Sequence, residues 1–226
     1  MGVGIVSDDA AGRARAIRVL QDGGIVGLPT DTVYGIGVSL TTPGGIERLF
    51  AAKRRPPDRA IALLLSDTGQ ADAIGMMDEV AVALATAFWP GGLTLVVPRR
   101  PAAELPQVLT GGAPTIGLRV PAHAAPRALA NALGPLPTTS ANRSGEPEAR
   151  TAAEIERLLG DAIELVLDGG PSTAGPASTV IDVTGPRPRV RRAGAVAIED
   201  VRRVLAAAGL PDLESDADEP APRTGR

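Results

Sequence analysis

Residues 61–65 read IALLL. Five apolar residues stand in a row, between the breaker-rich KRRPPDR at 53–59 and the polar SDTG at 66–69. A run this short and this apolar predicts a strand buried on both faces. Similar runs lie on either side of it: IVGL at 25–28, LTLVV at 93–97, TIGLRV at 115–120, IELVL at 163–167 and STVID at 178–182. The arginine-rich PRVRR at 188–192 reads as a last strand.

Segments with helical spacing fall between these runs. Asp8 and Asp9 can cap a helix to about residue 22, with Ile17 and Leu20 on one face and Gly23 and Gly24 as its stop. Thr42 and Pro43 suit the cap and first turn of a helix ending near Lys53, with Ile46, Leu49 and Phe50 at core spacing. Asp78 opens a helix that Pro90 closes, an alanine-rich helix covers about 122–133, and Thr151 with Glu154 forms a capping box. A final helix spans about 198–208, and PTTSANRSGEPEAR at 137–150 reads as a loop. Strands alternating with helices predict an α/β fold, a twisted mixed sheet with helices packed on its faces. One domain is expected over residues 1–210, with 211–226 as an acidic, proline-bearing, disordered tail.

Composition narrows the function. Apolar and charged shares of 44% and 22% are those of an ordinary globular protein. With no cysteine there are no disulfides, thiolate metal sites or cysteine nucleophiles, and a single histidine leaves little room for directly ligated metal. No run approaches the roughly 18 to 20 apolar residues of a membrane span, and acids stand near the start where a signal peptide carries cations. A cytoplasmic location is the expectation. The net charge of −3 comes from the tail, where Asp212, Glu214, Asp216, Asp218 and Glu219 outnumber Arg223 and Arg226. The body is neutral, so any polyanion site must be local.

Phosphate loops, dinucleotide fingerprints, HExxH and GxSxG are all absent. Hydroxyl-rich and basic loops remain: Thr30 to Thr32, Lys53 to Arg55, Thr138 to Asn142, Ser178 with Thr179, and Arg191 with Arg192. Backbone N–H groups, hydroxyls and fixed cations can share a polyphosphate without a nucleophile. Taken singly, each loop is better explained as a turn, and the basic run as a complement to a helix carboxyl end.

In order, however, the segments resemble one family. PTDTVYGIG at 29–37, Lys53-x-Arg55 followed by Pro56, FWPGGLTLVV at 88–97, TIGLRVPAH at 115–123, TSANRSG at 139–145, LDGG at 167–170, STVID and RRAG at 191–194 are similar to the YrdC family of L-threonylcarbamoyladenylate synthases. The likeness runs from about residue 12 to 205 and has the single-domain, short-form layout. It implies a concave ligand cleft over the sheet. It also implies ATP with Mg2+, L-threonine and bicarbonate as substrates, and a product, threonylcarbamoyl-AMP, passed to a transferase complex that modifies adenosine 37 of tRNA.

By the same resemblance Lys53, Arg55, Ser140 and Asn142 form the catalytic set. Lys53, Arg55, Arg59, Thr115, Ser140 and Arg192 hold the nucleotide, and Thr32, Arg119, Thr138 and Ser178 hold threonine. Metal is not expected to be bound directly by the protein. Departures from the family pattern fall at Arg59 and Leu64, where Asn and His are usual, and at Gly92, Thr139 and Ala177. An RNA-binding module, with weak tRNA affinity, and a divergent paralogue with another substrate are the alternatives; a carbamoyl-transferring domain of hydrogenase-maturation proteins lacks its usual companion modules here. His123 reads as a helix cap, and Trp89 as core.

Overall fold

The computed structural model describes residues 3–56, 59–172 and 175–214. The elements in chain order are β1 (Gly4–Ser7), α1 (Ala10–Gln21), β2 (Val26–Leu28), β3 (Gly35–Gly37), α2 (Gly45–Lys53), β4 (Ala62–Leu64), α3 (Thr68–Ile74), α4 (Glu79–Phe88) and β5 (Leu93–Pro98). They continue with α5 (Gln107–Thr110), β6 (Thr115–Arg119), α6 (Ala124–Leu133), β7 (Leu136–Ser140), α7 (Ala152–Leu159), β8 (Leu165–Asp168), β9 (Thr179–Asp182), β10 (Arg189–Arg192) and α8 (Ile198–Ala207). The strands form one mixed sheet in the order β1-β8-β2-β3-β7-β4-β6-β5-β9-β10. Pairing is parallel for β1 with β8, β8 with β2, β4 with β6 and β5 with β9, and antiparallel elsewhere.

Most helix starts are those the sequence predicts. Asp9 accepts from the Gly12 N–H at 2.8 Å, Asp78 from Ala81 at 2.8 Å, and Thr151 from Glu154 at 3.2 Å. The Glu154 carboxylate closes its side of the capping box on the Arg150 N–H. His123 caps α6, its Nδ1 accepting from Ala125. Trp89 is core, donating its indole N–H to Leu93 O.

The Thr42 cap is corrected: its hydroxyl donates to Leu20 O at the end of α1, and α2 begins after Gly44, whose φ of 76° suits a residue without Cβ. The 137–150 loop is corrected too. Its first residues form β7, paired on both sides with β3 and β4. A Thr-Thr-Ser run carries no apolar signal, and neighbouring strands decide its conformation. β3, inside the predicted PTDTVYGIG loop, is the same case. β1, α3 and α5 were likewise not predicted.

Two cores lie on opposite faces of the sheet. One gathers Ala16 and Leu20 of α1, Ala125 and Leu129 of α6, Val26, Leu28, Leu165 and Leu167. The larger one, under α2, α4, α7 and α8, includes Leu93, Leu95 and Val97 of β5 with Ile116 and Leu118 of β6. Because side chains alternate along a strand, Thr94 and Val96 of β5 and Thr115, Gly117 and Arg119 of β6 point the other way. They face the part of the sheet that α1 and α6 do not cover. That uncovered half is the floor of the cleft.

Candidate active site

The cleft has a volume of about 290 Å³ and is lined from β3, β4, β5, β6, β7, β9 and β10 with the loops at their ends. Its floor is shallow-sided where the sequence has small residues. A Cβ on Gly117 would stand 3.3 Å from Ala62 Cβ and 3.6 Å from Thr94 Cγ2, so a side chain there would rise into the space. Of the residues the sequence analysis singled out, Thr32, Arg55, Thr115, Arg119, Thr138, Ser140, Ser178 and Arg192 all line it. Lys53, Arg59 and Asn142 do not.

At one end Arg119 is buried and held by three donors: Nε to Gly91 O at 2.9 Å, Nη1 to Thr32 Oγ1 at 3.0 Å and Nη2 to Asp31 at 2.7 Å. Burial lowers its pKa, while Asp31 supports the charged form. Thr30 extends this hydroxyl network to Thr32 at 3.1 Å. Across the cleft Arg192 donates to Ser178 O and Oγ, both at 3.0 Å, and Ser178 Oγ lies 2.8 Å from Thr94 Oγ1. Burial also lowers the Arg192 pKa. Thr94 was missed by the sequence reading; its signal was a lone hydroxyl in the apolar run LTLVV.

At the other end Arg55 lines the cleft and binds its own loop, Nε to Arg59 O at 2.9 Å and Nη2 to Ala60 O at 2.6 Å. Arg59 thus serves the site through its carbonyl. Lys53 lies behind the wall, 3% exposed, with its ammonium 2.7 Å from Ser140 O, 2.6 Å from Asn142 Oδ1, 3.1 Å from Ser140 Oγ and 3.2 Å from Asn142 O. Burial and the nearby Arg55 and Arg192 lower its pKa to about 8, against a pull upward from Glu148. Asn142 is oriented by its amide N–H bond to Glu146 O. The lysine therefore ties the end of α2 to the loop after β7.

Tyr34 supplies the remaining wall, with its hydroxyl turned away to Gly170 O at 2.7 Å and the Gly169 N–H at 3.2 Å. Burial raises its pKa to about 12. Leu64, a departure from the family pattern, lines the cleft as an apolar group. His123 lies outside the lining. Among the described residues no cluster of three or more His, Cys, Asp or Glu could hold a metal, and no helix is long and apolar enough to cross a membrane.

The Sua5/YciO/YrdC family model, described as "Telomere recombination", matches residues 18–194. The chain belongs to this family. Within the Sua5/YciO/YrdC family it is 35% identical over 192 residues to a threonylcarbamoyl-AMP synthase of Pyrococcus abyssi, covering 84% of this chain. This chain spans 56% of that relative's length. A putative threonylcarbamoyl-AMP synthase of Mycobacterium tuberculosis is 36% identical over 195 residues, covering 86% of this chain and 89% of its own. The crystal structure of P. abyssi Sua5 complexed with L-threonine superposes with a TM-score of 0.85 at 32% identity, covering 94% of this chain and 62% of that one. The α/β fold and its mixed sheet are those of the family.

Proposed function

We propose that this protein is a threonylcarbamoyl-AMP synthase, converting ATP, L-threonine and bicarbonate to threonylcarbamoyl-AMP and pyrophosphate. The observation that carries the reading is one cleft that collects three arginines, Arg55, Arg119 and Arg192, with the hydroxyls of Thr32, Thr138 and Ser178. A triphosphate needs fixed cations, and an amino acid needs a polar cradle with a charge partner for its carboxylate. The relatives' names and the threonine complex of P. abyssi Sua5 support the same pairing.

In this reading the nucleotide, entering with its own Mg2+, lies toward Arg55, Thr115, Ser140 and Arg192, and threonine toward Thr32, Arg119, Thr138 and Ser178. The threonine amine, once deprotonated, adds to the bicarbonate carbon, and a C–O bond of bicarbonate breaks with loss of water to give a carbamate. A carbamate oxygen attacks the α-phosphorus and pyrophosphate leaves. No protein nucleophile is needed, so positioning and electrostatics lower the barrier. The product serves N6-threonylcarbamoylation of adenosine 37 in tRNA through a downstream transferase complex, in the cytoplasm. Residues 1–210 act as the catalytic domain; of the expected tail, Leu213 is buried in the larger core and the Glu214 N–H donates to Pro188 O, so 211–214 pack with the domain, and 215–226 lie outside the described residues.

Pyrophosphate release from ATP, measured with and without threonine and bicarbonate, tests the assignment. Release is expected only with both, and is expected to vanish in Lys53→Ala and Arg55→Ala proteins that keep their fold. Release that ignores threonine, or full activity in either variant, contradicts it.

A further inference from the structure

Among the described residues, the lining groups that ionise are Tyr34, Arg55, Arg119 and Arg192. None can take up a proton near neutral pH. Arginine stays charged, and the Tyr34 phenol is protonated and turned toward Gly169 and Gly170. Asp31 is committed to Arg119, and His123 uses Nδ1 as a helix cap. Yet an amino acid enters as an ammonium ion, and its nitrogen becomes a nucleophile only after losing a proton.

Among the described residues, the shortest hydrogen-bonded link from a lining hydroxyl to an amine runs from Ser140 to Lys53, and the Tyr34 hydroxyl reaches the Asp168 carboxylate only at 3.5 Å. We propose that Ser140 and Lys53 form a proton relay, in which Ser140 Oγ takes a proton from the substrate amine as its own proton passes to Lys53 Nζ. The proposal rests on the synthase reading. Ser140 lines the cleft, and its Oγ lies 3.1 Å from Nζ and 2.7 Å from Asn142 Oδ1. A neutral Lys53 keeps its two shortest contacts, to Ser140 O and Asn142 Oδ1, by donating its two hydrogens, and turns its lone pair to Ser140 Oγ. When Lys53 is protonated, the Ser140 O–H turns to Asn142 Oδ1 instead. The network thus has two proton arrangements over one set of heavy atoms.

Each transfer balances. The substrate N–H bond breaks and leaves its electron pair on nitrogen, an O–H bond forms on Ser140 as its old one breaks, and an N–H bond forms on Lys53. The location suits the chemistry, since Thr138 and Ser140 are alternate residues on one face of β7, about 7 Å apart. In the synthase reading they belong to the threonine and nucleotide ends respectively, so Ser140 marks the junction where the amine reacts.

Lys53 is the only lysine of the chain; every other basic side chain except His123 is arginine. The single lysine ammonium is therefore the one connected to the cleft. Arg55 and Arg192 lower its proton affinity and Glu148, on the loop before α7, raises it, with burial the largest effect and a resulting pKa of about 8.

The lone lysine allows a direct test. Protein labelled with 13C at lysine Cε gives one side-chain signal, expected to titrate near pH 8 and to shift in Ser140→Ala. The kcat of threonine-dependent pyrophosphate release is expected to rise to a plateau above that pH. Lys53→Arg, which keeps the charge, Lys53→Met and Ser140→Ala are each expected to lose about 100-fold or more of kcat, together with the limb. Glu148→Gln is expected to keep the limb and move it to lower pH.

Titration above pH 10, or a Lys53→Arg protein with the native profile, overturns the relay while leaving the synthase reading intact. A limb lost in Glu148→Gln with Lys53 still titrating assigns the base to Glu148 and also overturns it. No threonine-dependent release from the native protein overturns the synthase reading, and the relay with it. Should Lys53→Met fail to fold, the native titration and Ser140→Ala still decide.

Discussion

Arg119 and Asp31 form an ion pair 2.7 Å long in which the arginine side chain is 7% exposed and the carboxylate 17%. The pair joins the end of β6 to the loop after β2, two segments 88 residues apart in the chain. It sets the polarity of this end of the cleft, because three nitrogens of Arg119 are anchored by the protein itself.

Removing one partner leaves a buried cation uncompensated. Asp31→Ala is expected to lower stability by about 3–5 kcal/mol, read from denaturant midpoints. The loss should exceed that of Asp212→Ala, whose exposed pair with Arg202 contributes little.

Arg55 uses its planar fork to hold the carbonyls of Arg59 and Ala60. A lysine cannot reproduce both bonds. Arg55→Lys is expected to raise the KM for ATP by about tenfold or more, equivalent to about 1.4 kcal/mol, with an unchanged melting temperature. An unaltered KM would mean that charge alone matters at this position.

Gly117 keeps the floor open. Gly117→Val places branched carbons beside Ala62 and Thr94 and into the cleft, so ligand binding is expected to weaken by at least about tenfold. Circular dichroism should remain native, because valine suits a strand.

The charge on Lys53 is disfavoured by folding. Between its folded pKa of about 8 and the ordinary 10.5, the unfolded chain binds more protons, so stability is expected to rise with pH across that window. The slope from this one group is at most about 1.4 kcal/mol per pH unit. Tyr34 acts oppositely above pH 10, where the folded protein retains a proton that the unfolded chain releases. Urea titrations at pH 8 to 9.5 should show the rise in the native protein and not in Lys53→Met.

Local chemistry alone determined a good part of this protein. The apolar runs at 26–28, 62–64 and 93–98 became strands, and Asp9, Asp78 and Thr151 became helix caps, because burial and capping act within a few residues. The ordered motifs also named most residues of the cleft.

Tertiary structure decided the rest. β3 and β7 carry little apolar signal of their own, and only pairing with neighbouring strands makes them central. Likewise, no local feature of Thr94 or Gly117 shows that α1 and α6 stop short of their face of the sheet. Whether Lys53 touches a ligand or stands behind Ser140 depends on how the end of α2 meets the loop after β7, 87 residues away. Strand pairing, an uncovered sheet face and a buried ammonium are all long-range outcomes, set by which surfaces the folded chain brings together.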